Sequence, residues 1–272
     1  MNGTMKSSLF LKELKRNRKL FFIWSGIVIA FTIMVLGIYP SMEGIGDDLT
    51  DMMKNIPEGL KRAMGVDEQT WMSILGFYST YFGIYIVLLT GIYTMSTGTR
   101  IISTEEKDKT AEFLMTRPIS RNSIFNTKIA ALYFLAVGIF ALQTIVAVIG
   151  MQMASGDAVD WSKFITMHIH GGVLIFFFTA LGVLISMLLK PSTNYMGLVF
   201  GIIFGLYFLN AISKASESIE WLAYISPFNY LDFNVSGDDY SVHISATIVF
   251  LVLSAILVFA ARLLFERKDI DD

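Results

Sequence analysis

Cysteine is absent from the 272 residues, so disulfides, thiolate metal sites and thiol nucleophiles are excluded. Charge is also scarce: 16% of the residues are charged, whereas soluble domains carry about 25%. The formal net charge of −2 lacks the basic excess that nucleic-acid binding usually requires, so no nucleic-acid partner is expected.

What the chain has instead is apolar residues, which make up 54% of it, with 22 phenylalanines. A soluble fold of this size could not bury so much apolar surface. Six runs with little or no charge are each long enough to cross a membrane core of about 30 Å. They cover residues 20–39, 72–97, 125–151, 164–189, 193–212 and 242–265.

These runs predict an all-α integral membrane protein with six transmembrane helices in one domain, 1–272. Helices satisfy their own backbone hydrogen bonds in lipid, and the short, strictly alternating segments of a membrane barrel are not present. The first run follows a basic stretch like that of a signal peptide. It is too long for one and has no small-x-small cleavage site, so we interpret it as an anchor.

Lysine and arginine are distributed unevenly between the two predicted sides. Sixteen of the 21 fall in the N-terminal tail, the 98–128 stretch, Lys190 and the C-terminal end, and five fall in the other loops. Because positively charged loops stay on the cytoplasmic side, this predicts a cell-membrane protein with both termini in the cytoplasm.

The cytoplasmic loop 98–124 contains a short, bounded helix pattern. Ser103 is a candidate N-cap with Glu106 three residues later, and Pro118 disfavours helix at Arg117. Phe113 and Leu114 lie near the end of this segment and have no bilayer core to enter. From the residues alone, an interfacial connector and a helix that docks into a cytoplasmic partner both remain open.

Three motifs occur in order along the chain. The cytoplasmic loop contains Glu105-Glu106 through Thr110, Phe113-Leu114 and Arg117-Pro118-Ile119-Ser120-Arg121. The segments before the second and sixth spans contain Ile56-Pro57-Glu58-Gly59-Leu60 with Met64-Gly65, and Tyr224-Ile225-Ser226-Pro227-Phe228-Asn229-Tyr230. The loop resembles that of type-2 permeases of ATP-binding-cassette (ABC) exporters, which have acidic residues, Gly-Thr, leucine-rich residues and Pro-x-Ser-Arg there, although Lys109 stands where a glycine is usual. The other two motifs agree, so the resemblance covers nearly the whole chain.

The resemblance implies a membrane subunit that pairs with a second copy or a paralogous permease and is driven by two ABC ATPase subunits. It implies an interfacial elbow helix at 8–19 and a short coupling helix between the second and third spans. ATP and Mg would belong to the partner, since the chain has no Gly-x-x-x-x-Gly-Lys-[Ser/Thr] motif and is not expected to be an enzyme or to bind a cofactor. Coupling to the ATPase would fall on Glu105, Glu106, Thr110, Phe113 and Leu114.

Three glycines in the fifth span, Gly197, Gly201 and Gly205, lie four residues apart and so share a helix face that allows close helix approach. Ordinary packing within the chain and a permease–permease contact both fit the residues. The family resemblance favours the dimer contact.

Three tyrosines in the second span, Tyr78, Tyr81 and Tyr85, are spaced to place their hydroxyls on one helical face. Such a stripe is a candidate substrate pathway, with ordinary helix packing as the alternative. His168 and His170 point in different directions on a helix and have no third ligand nearby, so we expect no metal site. No catalytic motif is found.

These expectations describe an exporter subunit that forms the pathway for a hydrophobic or amphipathic substrate, with peptide ranked above lipid or drug. Deep acidic residues, which ion-coupled transporters commonly use, are lacking in the spans. An ATP-independent channel and a non-transporting membrane scaffold or immunity protein remain alternatives.

Overall fold

Six long helices form the protein in the computed structural model, which describes residues 2–43, 55–57, 59–61, 73–102, 120–154, 159–190, 194–215 and 217–267. All six are long and apolar enough to cross a membrane. Within these ranges no strand occurs, so the predicted all-α, six-span fold is confirmed. The helices are α1 (Asn2–Glu43), α2 (Ile74–Ile101), α3 (Arg121–Ala154), α4 (Trp161–Leu188), α5 (Tyr195–Ala215) and α6 (Ile244–Arg267).

Side-chain caps mark the beginning of two of the helices. The Ser73 hydroxyl accepts a hydrogen bond from the Gly76 backbone N–H at 3.1 Å, which satisfies a free donor at the start of α2. The Asp160 carboxylate accepts bonds from the backbone N–H groups of Ser162 and Lys163 at 3.0 and 3.1 Å. These caps fix the points at which α2 and α4 start.

The predicted elbow helix over residues 8–19 is helical, but it is continuous with the first span in α1. A separate interfacial elbow is therefore not confirmed. The predicted coupling helix lies outside the described residues, together with Glu105, Glu106, Thr110, Phe113 and Leu114.

The centre of the bundle is the pair α2 and α4, whose most apolar stretches are 72% and 61% buried, compared with 22% for α5 and α6. Their backbones touch at two glycines. A Cβ at Gly98 would lie 3.0 Å from the Thr179 carbonyl oxygen, and a Cβ at Gly182 would overlap the Met95 carbonyl oxygen. Only glycine permits this approach, which places α2 and α4 in backbone contact.

The two ends of the bundle differ. We call the end where α2 ends and α3 begins the basal end, and the other the distal end. The segment 217–243, named the distal cap, folds over the distal end as a 3-10 helix (Glu217–Ile225), a short helix (Pro227–Tyr230) and a loop. The Ser226 hydroxyl donates to the Leu206 carbonyl of α5 at 2.8 Å, and Phe228 is buried between Phe178 and Tyr207.

Candidate functional site

A buried ionic cluster joins three helices at the basal end. The Lys128 ammonium of α3 lies 2.9 Å from the Glu13 carboxylate of α1, and the two side chains are 2% and 0% exposed. The same ammonium donates to the backbone carbonyl of Ile101, the last residue of α2, at 2.7 Å. Arg16 contacts the other Glu13 oxygen at 2.6 Å. This basal cluster therefore fixes the end of α2 to α1 and α3.

Burying these charges is unfavourable in free energy unless each is paired with an opposite charge and hydrogen-bonded. Lys128 has a carboxylate and a carbonyl, and Glu13 has two cations, so the cluster supplies opposite charge and hydrogen bonds on both sides. Arg100 lies next to it on α2 and donates to the Ser96 carbonyl at 3.1 Å. The basal cluster is therefore a buried, hydrogen-bonded connection between helices. One of its bonds is made directly to Ile101, the last residue of α2.

The three tyrosines of α2 do not form one exposed stripe. Tyr78 is fully buried and accepts a hydrogen bond from the Gln143 side chain of α3, with its ring stacked on His168. Tyr81 and Tyr85 stack on each other with ring centroids 5.9 Å apart, and Tyr85 is 38% exposed. A π-helical turn, Phe82–Val87, begins directly after Tyr81.

A cleft lies between α2, α5 and the distal cap. Lys214 of α5 and Asp232 of the cap stand on it 3.8 Å apart, each about one-third exposed. The buried Asn210 also lines the cleft, and its side-chain oxygen has no hydrogen-bond partner among the described residues. Gly83, in the π turn, lets Phe233 pack directly against the helix, since a Cβ there would lie 2.7 Å from that ring. We call this space the distal cleft.

A hydrogen-bonded group holds the distal cap to α4. The His170 ring donates from Nδ1 to the Asp232 carbonyl at 2.9 Å and accepts at Nε2 from the His243 backbone N–H at 3.2 Å. The Tyr240 hydroxyl donates to the same Asp232 carbonyl at 2.8 Å, and burial together with the nearby Asp232 charge raises the pKa of Tyr240. The Tyr240 hydroxyl therefore keeps its proton, and can donate a hydrogen bond, at pH values at which an ordinary tyrosine ionises.

The glycine stripe of α5 is on the outside of the chain. A Cβ on Gly197, Gly201 or Gly205 would meet nothing within 4 Å, and all three positions are exposed. Phe208 and Ile212, which follow on the same face, are also exposed. Among the described residues the stripe has no packing partner, so packing within that part of the chain does not account for it.

The family comparison agrees with this architecture. The model of a family described as "ABC-2 family transporter protein" matches residues 8–270. The chain belongs to the ABC-2 transporter family. A search of curated proteins finds no match to it. The protein is therefore a multi-pass transmembrane subunit of an ABC transporter, and the family implies a separate ABC ATPase partner.

The residues predicted from the sequence to couple to the ATPase lie outside the described residues, in the segment between Ile102 and Ser120. What the structure does show is the two attachments of that segment. Its N-terminal attachment is the end of α2, bonded by Lys128, and its C-terminal attachment is the start of α3, where the Ser120 carbonyl accepts from the Ile124 N–H at 3.1 Å.

Sequence reasoning missed the basal cluster of the permease. Two signals were available: Lys128 lies three residues inside an apolar run, and Glu13 is the only acidic residue before the first span. A charge at such positions is retained most easily when a partner is nearby. The pairing itself joins residues 115 apart and could not be read from local spacing.

Proposed function

We propose that this permease is the membrane subunit of an ATP-driven exporter, and that its spans form the pathway for a hydrophobic or amphipathic substrate. The observation that carries the proposal is the bond from Lys128 to the Ile101 carbonyl within the basal cluster. It places a rigid, buried joint at the root of the segment whose sequence resembles a coupling helix.

Force applied by an ATPase at Phe113 and Leu114 would reach the membrane through that root. In this mechanism two ATPase subunits move the 103–119 segments of a permease pair, and each end of α2 follows because it is bonded to α1 and α3. The backbone contact between Gly98 and Gly182 then passes the displacement from α2 to α4. ATP and Mg are held by the ATPase and not by this chain.

The second permease, an identical copy or a paralogue, meets this one along the α5 stripe of Gly197, Gly201 and Gly205. Support comes from the open space outside all three glycines, because two helices with such faces can approach closely and gain packing contacts in lipid. In this arrangement Tyr81 and Tyr85 line the substrate pathway on its bilayer side. The buried Tyr78 packs within the helix bundle instead.

Peptides are the substrate class that we favour, ahead of lipids and drugs. The distal cleft supports this because the Asn210 amide can exchange two hydrogen bonds with a peptide group, and Lys214 and Asp232 provide charges for a carboxylate and an amine. The basal end is cytoplasmic in the proposal, and the basic residues Arg16, Arg100 and Lys128 gathered there support that orientation.

The proposal is tested by isolating a tagged copy from native membranes in mild detergent, identifying what co-purifies and assaying ATP hydrolysis. We expect a stoichiometric ATP-binding subunit and measurable hydrolysis. Recovery of this chain alone in several detergents, without hydrolysis, would overturn the proposal. Flux in vesicles that contain only this chain would then indicate a channel, and its absence a scaffold or immunity protein.

Substrate class is tested separately with inverted vesicles that contain the co-purified complex. We expect ATP-dependent uptake of a fluorescent hydrophobic peptide, reduced when ATP is replaced by a non-hydrolysable analogue. Uptake of a fluorescent lipid or drug with no uptake of peptide would reverse the ranking.

A further inference from the structure

His168 of α4 carries a hydrogen-bond acceptor that the described part of the fold leaves unused. Its Nδ1 lies 2.9 Å from the Phe164 carbonyl, and a carbonyl can only accept, so Nδ1 holds the proton and Nε2 holds a lone pair. That Nε2 is buried and has no partner among the described residues, and the residue is 7% exposed. An unpaired acceptor in an apolar interior is costly, so its presence calls for an explanation.

The surroundings of the ring keep it neutral. Aromatic side chains pack around it, with Phe164 at 4.0 Å, Phe82 at 4.7 Å and Phe140 at 5.8 Å between ring centroids. No charged side chain is paired with it within the ranges that the structure describes. His168 is therefore an acceptor for an O–H or N–H group, not a cation.

The side chain of His168 lines an apolar groove. The groove runs between α3, α4 and α6, and among the described residues that line it His168 has the only side chain that can hydrogen-bond. Gly172, one turn beyond His168, leaves it open because no side chain fills the space beside Phe140. We call it the α3–α4–α6 groove.

α6 contacts α3 and α4 at different points along its length. Near the basal end α6 and α3 touch through Phe125 and Phe265, whose ring centroids are 5.6 Å apart. Further along, α6 packs on α4 instead, through Phe250 and Phe177 at 5.3 Å. The apolar side chains at the edges of the groove, Val137 and Leu251, are 49% and 41% exposed.

The groove is formed by membrane-spanning helices, and its described lining residues carry no charge, so a hydrocarbon chain is its natural occupant. The depth of His168 in the membrane further limits which part of a lipid can reach it. His168 is seven residues into α4, about 10 Å from the distal end of a helix that exceeds the 30 Å core by several ångströms at each end. Its acceptor thus stands near the upper end of the acyl chains.

We propose that the α3–α4–α6 groove is a lipid site for an amphiphile with a free hydroxyl next to its acyl chain, and that this hydroxyl donates to His168 Nε2. Lysophospholipids and diacylglycerols share this chemistry. Diacyl phospholipids, which lack such a hydroxyl, can fill the groove but leave the acceptor unpaired. The proposal does not depend on ATP or on the transported substrate.

The test uses the full chain in nanodiscs of dioleoylphosphatidylcholine and native mass spectrometry of retained lipid. The probes are 1-oleoyl-lysophosphatidylcholine, its 2-O-methyl ether, and 1,2-dioleoylglycerol. The methyl ether keeps the chain and removes the donor. We expect the hydroxyl lipid to be retained about threefold to tenfold more than its ether, the range of one hydrogen bond in a membrane. The diacylglycerol arm distinguishes the two lipid sources.

Two variants localise the binding. His168→Phe keeps the aromatic bulk but removes the acceptor, so the preference for hydroxyl over ether should disappear. Gly172→Leu fills the groove, so retention of both lipids should fall. Gly26→Leu on α1 is the matched control, because a Cβ there meets nothing within 4 Å, and should change neither. Equal retention of hydroxyl and ether by the unmodified chain, or a preference that survives His168→Phe, would overturn the proposal. If His168→Phe is not recovered, unchanged retention by Gly172→Leu would do so as well.

Discussion

Lys128 and Glu13 are 115 residues apart in the sequence, yet their Nζ and Oε1 atoms lie 2.9 Å apart in an environment from which water is excluded. Because a buried charge without its partner is strongly destabilising, removing one member costs more than removing both. This relationship gives the first prediction.

Glu13→Gln should destabilise the protein by about 3–5 kcal/mol, since it leaves the buried Lys128 ammonium without a carboxylate. Lys128→Met should cost less, because Arg16 still pairs with Glu13. The double variant Glu13→Leu with Lys128→Met should be less affected than Glu13→Gln alone. Thermal unfolding in detergent measures this. The exposed pair Arg262–Glu266, at 3.0 Å, is the control, and Arg262→Gln should change stability by no more than about 1 kcal/mol. Additive losses in the double variant would contradict the pairing.

Gly182→Ala should destabilise the contact between α2 and α4, because the new methyl group would overlap the Met95 carbonyl oxygen. Overpacking of this kind costs about 1–3 kcal/mol. Gly197→Ala, where the space is open, should be tolerated. Unfolding temperatures of the two variants, compared in one detergent, check the prediction. Equal temperatures would mean that the helices separate easily at this point.

Gly201→Leu should lower the fraction of permease dimers and leave the unfolding temperature unchanged, because the substitution points away from the rest of the chain. Counting photobleaching steps of labelled protein in liposomes measures the dimer fraction. Gly37→Leu on α1 is the matched control, since it too meets nothing within 4 Å. An unchanged dimer fraction in Gly201→Leu would place the permease contact elsewhere.

Tyr78→Phe and Tyr85→Phe should affect different properties. Tyr78→Phe removes the hydroxyl that Gln143 contacts, so stability should fall by about 1 kcal/mol with little loss of transport. Tyr85→Phe should reduce peptide uptake and leave stability nearly unchanged, because it removes a partly exposed hydroxyl and keeps the ring that stacks on Tyr81. Uptake in inverted vesicles and thermal unfolding separate the two. Loss of transport in Tyr78→Phe at full stability would return Tyr78 to the pathway.

Phe113→Ala with Leu114→Ala should detach or uncouple the ATPase while all six spans remain inserted, because both changes lie outside the apolar runs. Co-purified ATPase and ATP-dependent uptake are the measurements. Met153→Ala with Trp161→Ala, at the distal end, is a control pair of similar apolar size. Full coupling in the Phe113 and Leu114 variant would show that these residues are not the docking anchors.

The sequence predicts the spans well because crossing a bilayer needs long apolar runs, which are visible without any knowledge of packing. The helices nevertheless extend past the apolar runs, as α3 begins at Arg121 and not at 125, since a helix continues into its polar flanks. The direction in which a side chain points from its helix is harder to predict from the sequence. The spacing of Tyr78, Tyr81 and Tyr85 assumes a regular helix, and α2 contains a π turn.

The candidate functional surfaces also differ in how far the sequence predicts them. The glycine stripe is found by spacing, but only the structure shows that the space outside Gly201 is open. The basal cluster and the distal cleft depend on contacts between distant segments, such as Lys128 with Glu13 and Lys214 with Asp232. The sequence predicts no metal site at His168, and only its bond to Phe164 shows which ring nitrogen remains available.

The π turn between Phe82 and Val87 has a mechanical consequence. Such a turn holds one residue more than the α-helical turn that it replaces, so the halves of α2 before and after it are out of phase by about 100°. If the π turn shifts along α2, each residue that it passes rotates about the helix axis by that angle. The hydrogen bonds of Ser73 and Ile101 at the two ends need not break. The middle of α2 can therefore change which side chains face the bundle while both ends of the helix stay in place.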